Sequence, residues 1–189
     1  MKIGVLAFQG DFAKHIQALT LLGVEAVEVR TQKDLESCAG LIIPGGESTV
    51  MLKSIDNANM RQPLLKFAKQ KPVFGTCAGL ILMAKEVINS SLKTLQLLDI
   101  SVERNAYGRQ ADSFQCDLSI KLKAESSQTV PAFFIRAPKI IEHSHEVKVL
   151  GEYEGSPVLI AQGLHLGATF HPELTDNLQI HQYFIDSLR

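Results

Sequence analysis

Several marks of specialised protein classes are missing from this sequence. It has three cysteines in 189 residues and no C-x-x-C pair, which argues against a disulfide framework and against a structural zinc site. No apolar run approaches the ~20 residues that a membrane-spanning helix needs, and Met1 leads directly into a predicted strand rather than into a signal peptide. We therefore expect a cytoplasmic protein that does not enter a membrane.

Charge of one sign is not concentrated anywhere along the chain. The 19 basic and 20 acidic residues give a net charge of −1, and the basic residues form no cluster of the kind that binds nucleic acid or an anionic membrane. We therefore expect a small molecule or another protein as the partner. With 46% hydrophobic residues, residues 1–189 are predicted to form a single domain with a sizeable core.

The first half of the chain alternates predicted strands with predicted helices. Apolar runs typical of strands buried on both faces occur at 3–8, 24–29 and 40–43. Between them lie a helix over 12–22 with Asp11 as its cap and a short helix capped by Thr31. This β-α-β-α-β order predicts an α/β fold with an open, mostly parallel sheet, helices on both faces and a ligand site beyond the carboxyl ends of the strands.

The second half has a different pattern. From Leu98 to Phe170 apolar residues often alternate with polar ones, which predicts antiparallel strands and hairpins added to the parallel half. Residues 126–129 are predicted to form an exposed loop, and 176–188 to form a terminal helix. The result is an α/β sheet with added antiparallel strands.

The most informative stretch surrounds Cys77. This cysteine lies between Gly75 and Gly79, where a predicted buried strand passes into a predicted apolar helix. The glycines permit a sharp turn that holds the cysteine side chain outward, and the start of the helix favours a thiolate. The alternative is a buried, unreactive cysteine, and this is how we interpret Cys38 and Cys116.

A glycine-rich turn follows the third predicted strand, over Pro44–Thr49. Gly45 and Gly46 can orient backbone N–H groups into a concave donor site, and Ser48 or Thr49 can cap the next helix. An ordinary βα turn is the alternative, and the spacing of a phosphate loop is absent. Because this turn and the Cys77 turn both follow parallel strands, we expect them to face one pocket.

His171 and Glu173 have the spacing of a base and its orienting carboxylate. His171 follows an apolar strand, and Pro172 favours an extended or turn backbone there. In an extended segment residues i and i+2 point the same way, so Glu173 can bind one ring nitrogen while the other faces elsewhere, which gives a base with its orienting group.

The other histidines carry weaker signals. His15 is predicted to be a surface or hydrogen-bonded residue of the first helix. His143 and His145 are predicted to lie on a solvated strand, since two ligands without a third make a poor metal site. His165 and His181 have no distinguishing context.

Several motifs together resemble a known family. The stretches 44–48, 75–79 and 170–173 are similar to those of class I (triad) glutamine amidotransferases, which have a flavodoxin-like sheet. The stretches 4–10, 102–110, 112–114 and 134–138 resemble, more specifically, the glutaminase subunits of pyridoxal 5′-phosphate synthase. The resemblance covers essentially the whole chain.

This resemblance implies an activity and a set of site residues. It implies that Cys77, His171 and Glu173 form a triad that hydrolyses L-glutamine to L-glutamate and ammonia through a thioester, with no cofactor and no metal. It assigns the oxyanion donors to the backbone N–H groups of Gly46 and Ala78. The residues that it places against the substrate are Gly45, Gly46, Glu47, Arg104, Ile135 and Arg136.

The resemblance also implies a partner. The ammonia would pass to the synthase subunit, in a large hetero-oligomer with the synthase at its core, and the glutaminase would be weak alone. The alternatives are a different triad amidotransferase or a γ-glutamyl hydrolase, a regulatory subunit with an idle triad, and a stress-related cysteine-elbow protein. The Arg104 and Arg136 motifs argue against the first pair, and His171-Pro172-Glu173 argues against the last.

Overall fold

A computed structural model describes residues 1–104, 106, 113–123 and 126–188 of the chain. In chain order, its elements are β1 (Lys2–Leu6), α1 (Phe12–Leu21), β2 (Glu25–Val29), α2 (Gln32–Glu36), β3 (Gly40–Ile43), α3 (Ser48–Asn57), α4 (Arg61–Ala68), β4 (Val73–Thr76), α5 (Ala78–Met83), β5 (Ala84–Val87), β6 (Leu98–Glu103), β7 (Ser113–Lys123), β8 (Ser126–Ile135), β9 (Lys139–His143), β10 (Lys148–Tyr153), β11 (Ser156–Gln162), β12 (His165–Ala168), a 3-10 helix (Pro172–Leu174) and α6 (Gln179–Asp186).

One nine-stranded sheet organises the described residues, in the order β2-β1-β3-β4-β12-β11-β10-β7-β8. The pairs from β2 to β12 are parallel, and those from β12 to β8 are antiparallel. The predicted fold class, a mostly parallel α/β sheet extended by antiparallel strands, is confirmed. Strand β12 belongs to both halves, so the segment after it lies at the same edge as the turns after β3 and β4.

The sheet separates two apolar cores. Leu41 and Ile43 of β3 join one core, while Ile42 between them joins the other, because successive side chains of a strand point to opposite faces. Burial on both faces explains why the early strands are nearly continuous apolar runs.

A second sheet of three strands, β5-β6-β9, packs against the first core. Its central strand, β6, contributes the buried residues Leu98, Ile100 and Val102. Strand β6 pairs in parallel with β5 and antiparallel with β9. This small sheet brings Arg104, directly after β6, to the start of α3, where its guanidinium lies 3.3 Å from the Thr49 hydroxyl.

Of the three predicted helix caps, one has the expected side-chain hydrogen bond. Thr31 forms a full capping box with Asp34 at the start of α2. Asp11 occupies the cap position of α1, but its side chain makes no capping hydrogen bond. The prediction that Ser48 or Thr49 caps α3 is wrong, because the Glu47 side chain accepts from the backbone N–H groups of Thr49 and Val50.

Two boundaries in the second half also differ from the sequence-based expectation. Residues 126–129, predicted to be a loop, are mostly exposed but belong to strand β8, where they pair with β7. The terminal helix is shorter than predicted and covers Gln179–Asp186. Among the described residues, the helices are too short or too polar to cross a membrane.

Candidate active site

Cys77 lies at a sharp turn between β4 and α5. Its backbone has φ 48° and ψ −107°, a conformation that is strained for any residue with a side chain. The turn is fixed by the Cys77 N–H, which donates to the Ala168 carbonyl of β12 at 2.9 Å. A methyl group at Gly79 would overlap the Ile43 carbonyl, so glycine is needed where α5 packs on β3. The turn predicted from the two glycines is therefore present.

His171 and Glu173 are in contact, although the segment is not extended as predicted. Residues 172–174 form a 3-10 helix directly after His171, and this turn brings the Glu173 carboxylate back to the ring. The separation between His171 Nδ1 and Glu173 Oε1 is 2.7 Å. Both residues are buried, with 5% of each exposed. The backbone N–H of His171 donates to the Phe133 carbonyl, which ties the segment to the end of β8.

The surroundings of His171 favour the imidazolium. Burial alone would lower the pKa of His171, but hydrogen bonds with Cys77 and Glu173, together with the charges of both, outweigh burial and raise that pKa to about 10. For Glu173, burial opposes ionisation, while electrostatic interactions with the His15 and His171 rings and the hydrogen bond from His171 lower its pKa. The carboxylate is therefore ionised, and it fixes the ring with Nδ1–H toward itself and Nε2 free for Cys77.

Gly45 makes room for the His171 ring. A methyl group at this position would overlap ring atom Cε1 and lie 3.1 Å from Nδ1. On the far side of the same loop, a methyl group at Gly10 would overlap the Gly45 carbonyl. The β3–α3 loop is thus packed between the imidazole and the β1–α1 loop.

A cavity of about 390 Å³ opens above Cys77. The sequence-predicted site residues that line it are Gly46, Glu47, Cys77, Ala78, Arg104, Ile135, Arg136 and His171. Glu173 lies behind His171, and Gly45 lies against the ring rather than on the wall. The structure therefore places most of the predicted residues around one cavity. The other two, Glu173 and Gly45, lie directly behind its lining.

Charged groups of both signs surround this cavity. The Glu47 carboxylate caps α3 through Thr49 N at 3.0 Å and Val50 N at 2.8 Å. Burial opposes ionisation of Glu47, but these hydrogen bonds and the charge of Arg104 lower its pKa. Arg104 donates to the hydroxyls of Ser48 and Thr49 at 3.4 and 3.3 Å. The part of the Arg104 motif at residues 105 and 107–112 lies outside the described residues.

The end of β8 forms another wall of the cavity. Arg136 follows this strand with φ 42°, an unfavourable value for a residue with a side chain. The carbonyl of Ile135 lies 3.7 Å from Cys77 Sγ. The end of β8 therefore lies beside the Cys77 thiol.

Four residues that line the cavity were not among the predicted site residues, and two of them, Gln9 and Asp11, follow β1. Gln9 accepts from the Glu47 N–H through Oε1 at 3.0 Å, and so holds the β3–α3 loop. Asp11 is exposed and lines the cavity near His171. Both lie in the loop after β1, and their position at the carboxyl edge of the sheet was the available signal.

Asp11, His171 and Glu173 also have the side-chain types of a metal site. One ligand atom of each lies within 4.8 Å of those of the others. However, the Nδ1 atom of His171 is already bound to Glu173, and a thiol is the neighbour of the imidazole. We therefore interpret these residues as proton-handling groups.

Two histidines without an assigned role lie behind Glu173. His15 and His181 have no exposed surface, and their rings are joined by a hydrogen bond of 3.0 Å between Nδ1 and Nε2. His15 Nε2 lies 3.4 Å from Glu173 Oε2. The expectation that His15 is a surface or hydrogen-bonded residue is half right, since it is hydrogen-bonded but fully buried.

The chain is similar to proteins of one known family over almost its whole length. Residues 5–189 match the SNO glutamine amidotransferase family. The pyridoxal 5′-phosphate synthase subunit PdxT of Thermotoga neapolitana is 47% identical over the full length of both chains. The subunit of the same name from Pelotomaculum thermopropionicum is 49% identical over 98% of this chain and 94% of its own.

A solved structure described as a glutamine amidotransferase has the same fold. It superposes with a TM-score of 0.92 at 41% identity and covers 98% of each chain. PurLQS from Thermotoga maritima superposes with a TM-score of 0.76 at 15% identity, over 100% of this chain and 99% of its own. The second likeness concerns the fold alone.

Removing the Cys77 thiol should lower the pKa of His171. In the intact protein, Cys77 supports the imidazolium both as a hydrogen-bond partner and through its charge. In Cys77→Ala only Glu173 remains in that role, so the His171 ring should titrate well below its value of about 10. The measurement is an NMR titration of the ring carbons. His165, whose pKa burial lowers, is the internal control, and an unchanged His171 titration would contradict the assigned contact.

Filling the space beside the imidazole should slow the chemistry of Cys77. In Gly45→Ala the new methyl group displaces the ring, and Cys77 loses the neighbouring imidazolium that favours the reactive thiolate. We expect alkylation of Cys77 by iodoacetamide, followed by mass spectrometry of its peptide, to be roughly tenfold slower. Gly163→Ala is the control for a glycine substitution away from the cavity: its added methyl meets no atom within 4 Å, although its φ of +55° makes the substitution strain the backbone. Equal rates in the two variants would refute this role of Gly45.

Proposed function

Because the chain belongs to the SNO glutamine amidotransferase family, we propose that Cys77, His171 and Glu173 are the catalytic triad with which it hydrolyses L-glutamine to L-glutamate and ammonia. The observation that carries this proposal is that Cys77 and His171 line the same cavity while Glu173 holds the far ring nitrogen of His171 at 2.7 Å. A candidate nucleophile, its base and an orienting carboxylate thus lie next to one another in space.

Each group has a defined task in the reaction. The Cys77 thiolate attacks the side-chain amide carbon of glutamine and forms a C–S bond. His171 then donates its proton to the amide nitrogen, the C–N bond breaks, and ammonia leaves behind a glutamyl thioester. In the second half, His171 takes a proton from water as the water attacks the thioester, the C–S bond breaks, and glutamate is released. Glu173 keeps the imidazole in the required tautomer throughout.

Both halves pass through an oxyanion, for which we propose the backbone N–H groups of Gly46 and Ala78 as donors. Both residues line the cavity beside Cys77. Loss of one such donor typically costs ~10²–10³ in rate. The Gly46 donor belongs to an exposed loop that Gln9 holds through a side-chain hydrogen bond, so the orientation of this loop sets the activity.

The charged wall residues suit the two ends of a free amino acid. We assign the α-carboxylate of glutamine to Arg104 and Arg136, since guanidinium groups bind carboxylates with strong paired hydrogen bonds. The α-ammonium group is assigned to Glu47, which lines the same cavity. The backbone of Gly45 and Gly46 and the Ile135 segment complete the substrate site.

The ammonia is the useful product, and its acceptor is another subunit. Ammonia released to water at neutral pH is protonated and is no longer a nucleophile. The curated relatives carry the name of a pyridoxal 5′-phosphate synthase subunit. We therefore assign delivery to a synthase subunit that makes pyridoxal 5′-phosphate, within a large hetero-oligomer, while this chain acts as a single glutaminase domain without its own cofactor. The three free cysteines suit the reducing cytoplasm.

Loss of the nucleophile should abolish glutamate production. Cys77→Ala is expected to lower glutamate release from glutamine by about 10³-fold or more, with or without a synthase subunit. Cys116→Ala, at a half-buried position away from the cavity, is the matched control and should keep the native rate. The native chain should release glutamate faster with the synthase subunit than without it. Unchanged release by Cys77→Ala would overturn the triad, and full activity of the native chain alone would overturn the proposed gating.

Loss of a substrate-binding guanidinium should mainly affect binding. Arg104→Gln is expected to raise KM for glutamine about 10-fold to 100-fold with a smaller change in kcat, because the α-carboxylate is bound alike in the ground and transition states. Arg30→Gln removes an exposed arginine that pairs with Glu28 and should leave KM unchanged. The assay is initial-rate kinetics of glutamate release. The same KM in both variants would exclude Arg104 from substrate binding.

A further inference from the structure

The buried cluster of His15, His181 and Thr76 lies directly behind the triad carboxylate. The side chain of Glu173 has no exposed surface, and within the described residues its Oε2 atom has no hydrogen-bond partner. The polar atom facing Oε2 is Nε2 of His15, at 3.4 Å. A buried carboxylate oxygen with an imidazole nitrogen opposite it requires that nitrogen to carry a proton, because a lone pair there would repel the negative charge.

The tautomer of His15 is set by its other neighbour. His15 Nδ1 and His181 Nε2 lie 3.0 Å apart, so one of them donates and the other accepts. Burial lowers the pKa of both rings, and that of His181 falls to about 3, so His181 is neutral and has one N–H. If His181 Nε2 donates, the proton of His15 is placed on Nε2, toward Glu173.

The unpartnered atom of His181 agrees with this assignment. Nδ1 of His181 is buried and has no hydrogen-bond partner in the described part of the chain. With the proton on Nε2, this orphan atom is a lone pair. The opposite arrangement would leave a buried N–H unpaired at Nδ1 and would also turn a lone pair of His15 toward Glu173. Orphaned buried N–H groups are rarer than orphaned acceptors. The unpaired Nδ1 atom of His181 and the carboxylate of Glu173 therefore both favour donation from His181 Nε2 to His15 Nδ1.

We propose that His15 is a positioning residue of the triad, which supplies an Nε2–H to the Glu173 Oε2 atom, shares it with the Thr76 hydroxyl, and has its tautomer fixed by His181. This inference depends on the proposed triad. His15 Nε2 lies 3.2 Å from Thr76 Oγ1, and Thr76 immediately precedes Cys77. Glu173 is thereby held between two imidazoles, with His171 on Oε1 and His15 on Oε2.

The rings are held in place by elements from three parts of the chain. His15 belongs to α1, His181 belongs to α6, and Phe74 of β4 packs edge-on against both, with centroids at 6.5 and 6.1 Å. This cage restricts rotation of either ring. A fixed donor is what a positioning role requires, since it gives the carboxylate one orientation at little entropic cost.

A double-mutant cycle between His15 and Glu173 tests the proposal. His15→Leu should lower kcat for glutamate release, measured in the complex with a synthase subunit, about 10-fold to 100-fold, the range for a lost hydrogen bond to a charged group. In a Glu173→Gln background the same change should alter kcat by less than about threefold, because residues that act as a unit are not additive. His15→Gln, whose amide can donate from a similar position, should restore most of the loss. Equal losses in the two backgrounds, or no loss in either, would overturn the proposal.

Further variants distinguish a positioning role of His15 from a general loss of stability and from a failure of the proposed triad. His165→Leu removes a half-buried ring that accepts from Val73 N, and it should lower thermal stability without changing kcat. If His15→Leu does not fold, His181→Phe replaces it in the same cycle, since it removes the N–H that fixes the tautomer, and an additive result again rejects the role. Cys77→Ala in the same assay tests the triad independently. An inactive Cys77→Ala beside a fully active His15→Leu would reject this inference alone.

Discussion

The buried carboxylate of Glu173 is the constraint on which the rest of the site depends. A carboxylate inside a protein is very costly unless it is paired, and Glu173 is 5% exposed. His171 pairs with one of its oxygens at 2.7 Å, and His15 faces the other at 3.4 Å. Hydrogen bonds with Cys77 and Glu173 and the charges of both hold the pKa of His171 high despite burial, so the buried anion orients the imidazole and helps to keep it protonated next to the thiol.

The order of the strands brings these groups together. Strands β4 and β12 are parallel neighbours, with Thr76 opposite Ala168 in the register. The residues that follow them therefore emerge side by side, which places Cys77 close to the segment that carries His171. Close packing at this edge needs glycine at Gly45 beside the ring and at Gly79 against the Ile43 carbonyl. The short motifs around Cys77 and His171 thus form one site only because the strand order makes them neighbours.

Features set by local pattern could be predicted from the sequence, and features set by distant packing could not. The parallel half, the turn at Cys77 and the pairing of His171 with Glu173 follow from apolar periodicity, glycine placement and short spacing. The contact between His15 and His181 joins residues 166 positions apart, and no local pattern encodes it. The cap of α3 was misassigned because Glu47 is a less common capping residue than serine or threonine, and its two oxygens reach two backbone N–H groups only in the folded loop.

The site consists of two parts with different mechanical character. Cys77, His171 and Glu173 are buried and tied to the sheet and to α1 and α6, so their arrangement is fixed by the same packing that forms the core. Glu47, Arg104 and Arg136 are exposed, lie at the ends of elements, and include a residue with φ 42°. Loops of this kind change conformation at a far lower cost than a packed core does. Under the proposed function, a partner that binds over the cavity would act on the substrate-binding groups and on the Gly46 donor, while Cys77, His171 and Glu173 would already be in place. This division would let the proposed nucleophile stay ready while ammonia is withheld until the acceptor is bound.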